Sequence, residues 1–172
     1  MTPGTRRLFF AFWPDDETRS ALEAGRARLF PLAGRPVPAA GLHVTTAFVG
    51  SVKEERVAAL LALAGSVPPL TVTFDRLEHW AKPRVLVAAT TYLPGDMKKV
   101  VDGLWQRLDR LGFARETRPF RPHVTLVRDI RSVRAGLPWP PFAWRIDRLA
   151  LVESLSTSGE SRYRLVTPAA VG

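Results

Sequence analysis

The chain has no cysteine. That excludes disulfides, thiolate metal sites and thiol nucleophiles, and it fits a reducing compartment. Histidine is nearly as scarce, with 3 in 172 residues. No apolar run approaches the length of a membrane span, and the N-terminal run Leu8 to Trp13 stops at Pro14. No charged segment followed by a long apolar stretch opens the chain, so the expected location is the cytoplasm, with no membrane partner. Low-complexity stretches and interdomain linkers are also missing. Residues 1–172 are therefore expected to form one domain, with roughly 70% of the unfolded chain's surface buried on folding. Acids are outnumbered: 16 Asp and Glu face 25 Lys and Arg, a net charge of +9. A balance of this sign attracts polyanions, nucleic acid first, although a solvated basic surface accounts for it equally well.

What is present reads as alternating strands and helices. Arg7 to Trp13 predicts a strand. Pro14 opens a helix with Asp15, Asp16 and Glu17 in its first turn, and Leu22 and Leu29 lie on one face. Pro31 to Pro38 predicts a loop, and His43 to Val49 a strand closed by Gly50. Ser51 with Glu54 has the form of a capping box, ahead of a helix from Lys53 to Ala64 that Pro68-Pro69 follows. Leu70 to Trp80 and Arg84 to Thr90 predict a hairpin across Ala81-Lys82-Pro83. Pro94-Gly95-Asp96 starts a third helix with Val100, Val101, Leu104, Leu108 and Leu111 inward, and Gly112 is placed as its C′ residue. A strand at His123, an Arg- and Pro-rich loop from Ile130 to Pro141, a long strand from Phe142 to Leu155 and a return strand from Ser161 to Thr167 across Ser158-Gly159-Glu160 complete the chain. The order predicts an α+β fold.

Two of the three histidines sit in the same tripeptide. Leu42-His43-Val44-Thr45-Thr46 and Pro122-His123-Val124-Thr125-Leu126 each read His-Val-Thr inside an apolar run. On a strand, alternate side chains share a face, so each His and its Thr project together while the Val faces the core. Two such strands side by side offer two imidazoles and two hydroxyls to one small site. Imidazole is the side chain that is half-protonated near neutrality, so a pair can serve as base and acid. Hydroxyls can donate to non-bridging phosphate oxygens, where charge builds during reaction. A zinc site would want three or four ligands, and the sequence offers no Cys and no paired His at helix spacing. The plain alternative is two strands whose His and Thr are satisfied by backbone partners. His79 lacks the pattern and reads as an exposed or edge-strand histidine.

At these residues the chain resembles the RNA 2′,3′-cyclic phosphodiesterases, also called 2′-5′ RNA ligases, of the 2H phosphoesterase superfamily. The resemblance covers nearly the whole length. It rests on Arg7-Leu8-Phe9-Phe10-Ala11 with Pro14; on Leu42-His43-Val44-Thr45 with Phe48-Val49-Gly50; on Arg118 to Leu126 with Arg128; and on Ser154, Gly159, Tyr163 and Leu165 at the spacing of a closing hairpin. It implies two pseudo-symmetric lobes of antiparallel sheet with packed helices around a central basic cleft. It implies cofactor-free and metal-independent opening of a terminal RNA 2′,3′-cyclic phosphate, tRNA halves being one such RNA, to a 2′-phosphate. Reversible 2′-5′ joining would be a side activity. Separately, the sequence has no heptads and no large charged helix face, so a monomer is the default expectation. His43 and His123 would be the acid–base pair, Thr45, Thr125 and Arg128 the phosphate binders, and Phe48 a wall of the nucleoside pocket. An RNA-binding module without catalysis, or the same chemistry on another cyclic nucleotide, are the rival readings. Two departures stand out: Thr46 replaces an apolar residue, and Pro168 to Gly172 lacks an apolar tail. Phe48 and Arg128 also lie five residues past their histidines. Regular strands would point them away from the site, and only a strand end or a bulge would return them.

Overall fold

The computed structural model describes residues 4–157 and 160–168, and it is an α+β fold of two antiparallel sheets with three α-helices. The first sheet carries strands β1 (Thr5–Phe12), β3 (Val44–Lys53), β4 (Gly65–Phe74), β8 (Phe142–Thr157) and β9 (Glu160–Leu165). Its order is β3-β1-β8-β4, with β9 paired to the later part of β8. The second sheet runs β2-β7-β6-β5, from β2 (Arg35–Pro36), β7 (His123–Arg128), β6 (Val85–Ala89) and β5 (Arg76–Trp80). Each His-Val-Thr stretch therefore belongs to its own sheet. Among the described residues no helix is long and apolar enough to cross a membrane.

Strand β1 is buried on both faces, which is why its sequence is continuously apolar rather than alternating. Leu8, Phe10 and Phe12 enter the main core, while Phe9 and Ala11 pack on the other face with Val152, Trp13 and Tyr163. The main core is continuous across both sheets: Leu8 and Phe10 belong to the same apolar cluster as Leu86, Ala88, Val124 and Leu126. Helix α1 (Asp16–Ala27) is capped by Asp15, whose carboxylate accepts from the Thr18 N–H at 2.8 Å. Leu22 and Leu29 are both buried, as their spacing predicts. Helix α3 (Gly95–Arg110) buries Met97, Val101, Leu104, Trp105 and Leu108. It ends in a Schellman motif: Gly112, at φ +78°, donates to Asp109 O, and Phe113 donates to Leu108 O.

Several boundaries differ from expectation. Gly50 does not close its strand, because β3 continues through Ser51 to Lys53 with Gly50 at φ +88°. Ser51 pairs with Arg7 of β1 and caps nothing, so the capping-box reading is wrong. The strand gives way to a 3-10 turn (Glu54–Arg56) and only a short helix α2 (Val57–Leu61). Pro68 and Pro69 lie inside β4, where the pairing with β8 is irregular between Ser66 and Leu70. An edge strand with a bulge is where the missing N–H groups of two prolines do least harm. Leu70 to Trp80 is not one strand. It changes sheets at Asp75, whose N–H donates to Ala89 O and whose carboxylate accepts from Thr91 N at 2.9 Å. The loop from Pro31 to Pro38 contains the two residues of β2. The turn residues Ser158 and Gly159 and most of the C-terminal departure lie outside the described residues.

Candidate active site

Cross-strand partners on a sheet share a face, so the pairing locates the candidate residues. In the second sheet Ala89, Val87 and Val85 of β6 lie opposite His123, Thr125 and Arg128. The register slips between Leu86 and Val87, leaving Leu126 as an extra residue on β7. That bulge returns Arg128 to the face of His123. The first sheet repeats the device. Ala11 and Phe9 of β1 lie opposite Thr45 and Phe48, and Thr46 is the extra residue between them. His43 immediately precedes β3, and its ring stacks on Trp13, the residue after β1. Both motif strands share one layout: Val44 and Val124 in the core, Thr45 and Thr125 on the site face, a buried bulge residue, then Phe48 or Arg128 back on the site face. Thr46 points inward as its parity predicts, and its hydroxyl is buried without a hydrogen-bond partner.

The imidazoles are held alike. His43 Nδ1 lies 2.7 Å from Gly41 O, and His123 Nδ1 lies 2.8 Å from Arg121 O. A carbonyl only accepts, so each Nδ1 carries a proton and each Nε2 is the nitrogen left for chemistry. The Thr45 hydroxyl sits 3.1 Å from His43 Nε2 and can donate to it. Aromatic rings fix the imidazole planes. His43 is stacked on Trp13 at 5.5 Å and meets Phe9 at 5.1 Å and Tyr163 at 5.0 Å. His123 lies 4.5 Å from the Trp80 ring. Arg128 Nη2 donates to the Tyr163 hydroxyl at 3.2 Å, so β9 ties the arginine of one sheet to the histidine cage of the other.

Both histidines are biased toward the neutral form. Burial pushes His43 down to about 4, with the charges of Arg128 and His123 adding to it and the Gly41 carbonyl opposing. His123 is also lowered, first by burial, then by Arg121 and Arg128, against the Arg121 carbonyl and the carboxylate of Glu78. Arg128 thus acts on both rings, and the charge of His123 acts on His43. Stability depends on the same bias. A buried histidine that resists protonation binds fewer protons folded than unfolded, so stability is lost as pH falls from about 6.5, the unfolded value, toward 4. Thermal midpoints should decline across that window. In His43→Gln the decline should be shallower, and an unchanged slope would remove His43 as its source.

His79 sits on the edge strand β5, with Nε2 3.0 Å from Ile130 O, a satisfied position apart from the chemistry. Six residues around the site were not singled out for it by the sequence. Phe9, Trp13 and Tyr163 cage His43, and Glu78, Trp80 and Arg121 surround His123. The alternation of Arg7, Phe9, Ala11 and Trp13 within a doubly apolar strand is a signal that could have found Phe9 and Trp13.

The description "2'-5' RNA ligase superfamily" belongs to the family model that matches residues 14–157. The RNA 2′,3′-cyclic phosphodiesterase of Escherichia coli K12 is 37% identical over 163 residues, 92% of each chain. A crystal structure of E. coli LigT complexed with 3′-AMP superposes at a TM-score of 0.80 and 35% identity, covering 95% of this chain and 96% of that one. The TT0787 protein of Thermus thermophilus superposes at 0.73 with 25% identity, covering 94% and 95%. A family model spanning most of the sequence, an extensive relative and two sheets that each present a His-Val-Thr strand agree: this chain belongs to the 2′-5′ RNA ligase superfamily.

Proposed function

We propose that the protein is an RNA 2′,3′-cyclic phosphodiesterase that opens a terminal cyclic phosphate to a 2′-phosphate. The observation that carries the reading is the matched pair of imidazoles, each with Nδ1 pinned to the carbonyl two residues earlier so that Nε2 is the proton-accepting nitrogen, with Arg128 acting on both. The relative named for this activity and the E. coli structure holding 3′-AMP support it.

In this reading water attacks the cyclic phosphorus and the bond to the 3′-oxygen breaks. His43, strongly biased to the neutral form, accepts the water proton at Nε2. His123, less deeply enclosed and beside the Glu78 carboxylate, donates a proton from Nε2 to the departing 3′-oxygen. Thr45, Thr125 and Arg128 hold the non-bridging oxygens, where negative charge accumulates. Phe48, 37% exposed with the Arg7 guanidinium 5.1 Å over its ring, offers a stacking surface to the terminal nucleoside. The excess of arginine attracts the RNA strand.

The deciding experiment compares an RNA ending in a 2′,3′-cyclic phosphate with small cyclic nucleotides and identifies the product. A 2′-phosphate is expected, with no inhibition by chelators. A product with a 3′-phosphate, or no turnover, would overturn the reading. The pH profile of kcat/KM should be bell-shaped and centred below neutrality, because both free imidazoles sit below their ordinary value. That of kcat should peak at higher pH, since a bound phosphate anion raises both.

A further inference from the structure

A recess of about 120 Å³ opens beside His123 and holds an arginine–aromatic pair that binds no oxygen of the reacting phosphate in the reading above. Trp80 and Arg121 line it, with Glu78 between them and Phe120, Ala89 and Thr91 around. It adjoins the reacting centre, because the Trp80 ring is the one 4.5 Å from the His123 imidazole. The Arg121 guanidinium lies over the same indole at 5.2 Å. Glu78 holds both in place. Its Oε2 accepts from Trp80 Nε1 and from Arg121 Nη2, each at 2.7 Å, and its Oε1 accepts from Arg76 Nε at 2.8 Å.

Two properties result. The guanidinium is held by one hydrogen bond to Glu78 and by the indole before any ligand arrives, so less side-chain entropy is lost on binding. Its charge is also partly countered by a carboxylate that it shares with Arg76, which makes it a weaker clamp for a further phosphate than an unpaired arginine. What it offers outward is a flat, polarised surface, with the side chain 61% exposed. Planar guanidiniums and aromatic rings are the surfaces on which unpaired bases stack. The opposite sheet has the same pairing in Arg7 over Phe48, and a single terminal nucleoside occupies one such surface.

We infer that Arg121, backed by Trp80 and clamped by Glu78, is a second stacking platform, and that it receives the base of the nucleotide adjoining the terminal one. The two sheets then each hold one base, with the phosphate between them. The inference rests on the phosphodiesterase reading for what lies in the cleft. It makes the preferred ligand an RNA of at least two nucleotides.

Equilibrium affinities for a dinucleotide and a mononucleotide, each ending in a 2′-phosphate, test this without requiring turnover. The natural protein should favour the dinucleotide by about 5- to 150-fold, the range for one stacked base. Arg121→Ala should lose that ratio. Arg121→Lys should lose most of it too, since it keeps the charge but not the plane, whereas Trp80→Phe should retain most of it. Arg121 is an exposed loop residue, so its variants should keep the wild-type circular dichroism. No dinucleotide preference in the natural protein, or an undiminished one in Arg121→Lys, would overturn the platform. Cyclic-phosphate turnover is scored separately. Turnover without the ratio would sink the platform and leave the hydrolase. The ratio without turnover would leave the platform and sink the hydrolase.

Discussion

His43→Ala and His123→Ala should each lower kcat on a cyclic-phosphate RNA by about 10²- to 10⁴-fold, the usual worth of one positioned proton transfer. Full activity in either variant would remove that residue from the chemistry. The two losses should also differ in form. Removing the base abolishes the acidic limb of the kcat/KM profile, and removing the acid abolishes the alkaline limb. With His43 as base, the acidic limb vanishes in its variant and the alkaline limb survives; the opposite pattern would exchange the roles. The assignment rests on environment. Phe9, Trp13 and Tyr163 enclose His43, and burial holds it neutral against the Gly41 carbonyl, whereas Glu78 favours the charged form of His123. Loss of the His43 ring leaves a gap among Phe9, Trp13 and Tyr163, so part of any effect could come from a loosened cage. His43→Gln fills more of that gap without supplying a base, and it should be as inactive as the alanine variant. A circular dichroism spectrum and thermal midpoint close to those of the natural protein would assign the loss to chemistry.

The four motif residues were legible because parity is a local property. In each tripeptide, His and Thr share a face wherever the strand lies, and an apolar Val between them points to the core. Phe48 and Arg128 were ambiguous for the same reason. Their return to the site depends on bulges at Thr46 and Leu126, and a bulge is a mismatch with another strand that no single segment displays. The switch of sheets at Asp75 was equally hidden, since Leu70 to Trp80 has the composition of a strand throughout and only its partners, β8 and then β6, divide it. Ser51 and Glu54 show the reverse failure. The pattern for a capped helix was present, but pairing with β1 won over local propensity. Trp80, Glu78 and Arg121 come from two separate segments, so nothing in either segment announces the cluster beside His123.

Arg128→Ala should reduce kcat/KM by about 10²- to 10³-fold, as expected for losing one preorganised donor to developing charge. The size of the loss alone does not separate phosphate binding from a structural role, because Arg128 also donates to Tyr163 and thereby braces β9 against the His43 cage. The pH profile separates them. The Arg128 charge lowers both imidazoles, so its removal lets both rise toward their ordinary value. The acidic limb of kcat/KM should therefore move to higher pH, and the alkaline limb with it. A residue that only braced the hairpin would lower activity and leave the limbs where they were. Arg128→Lys should keep much of the shift in place, because the charge remains, yet recover little activity, because an ammonium cannot reproduce the planar fork that reaches both Tyr163 and a phosphate oxygen. Tyr163→Phe completes the set. It leaves the charge and removes the anchor, so the limbs should stay put while kcat/KM falls by less than in Arg128→Ala. A profile that did not move in Arg128→Ala would place the arginine too far from the imidazoles to hold the phosphate they act upon.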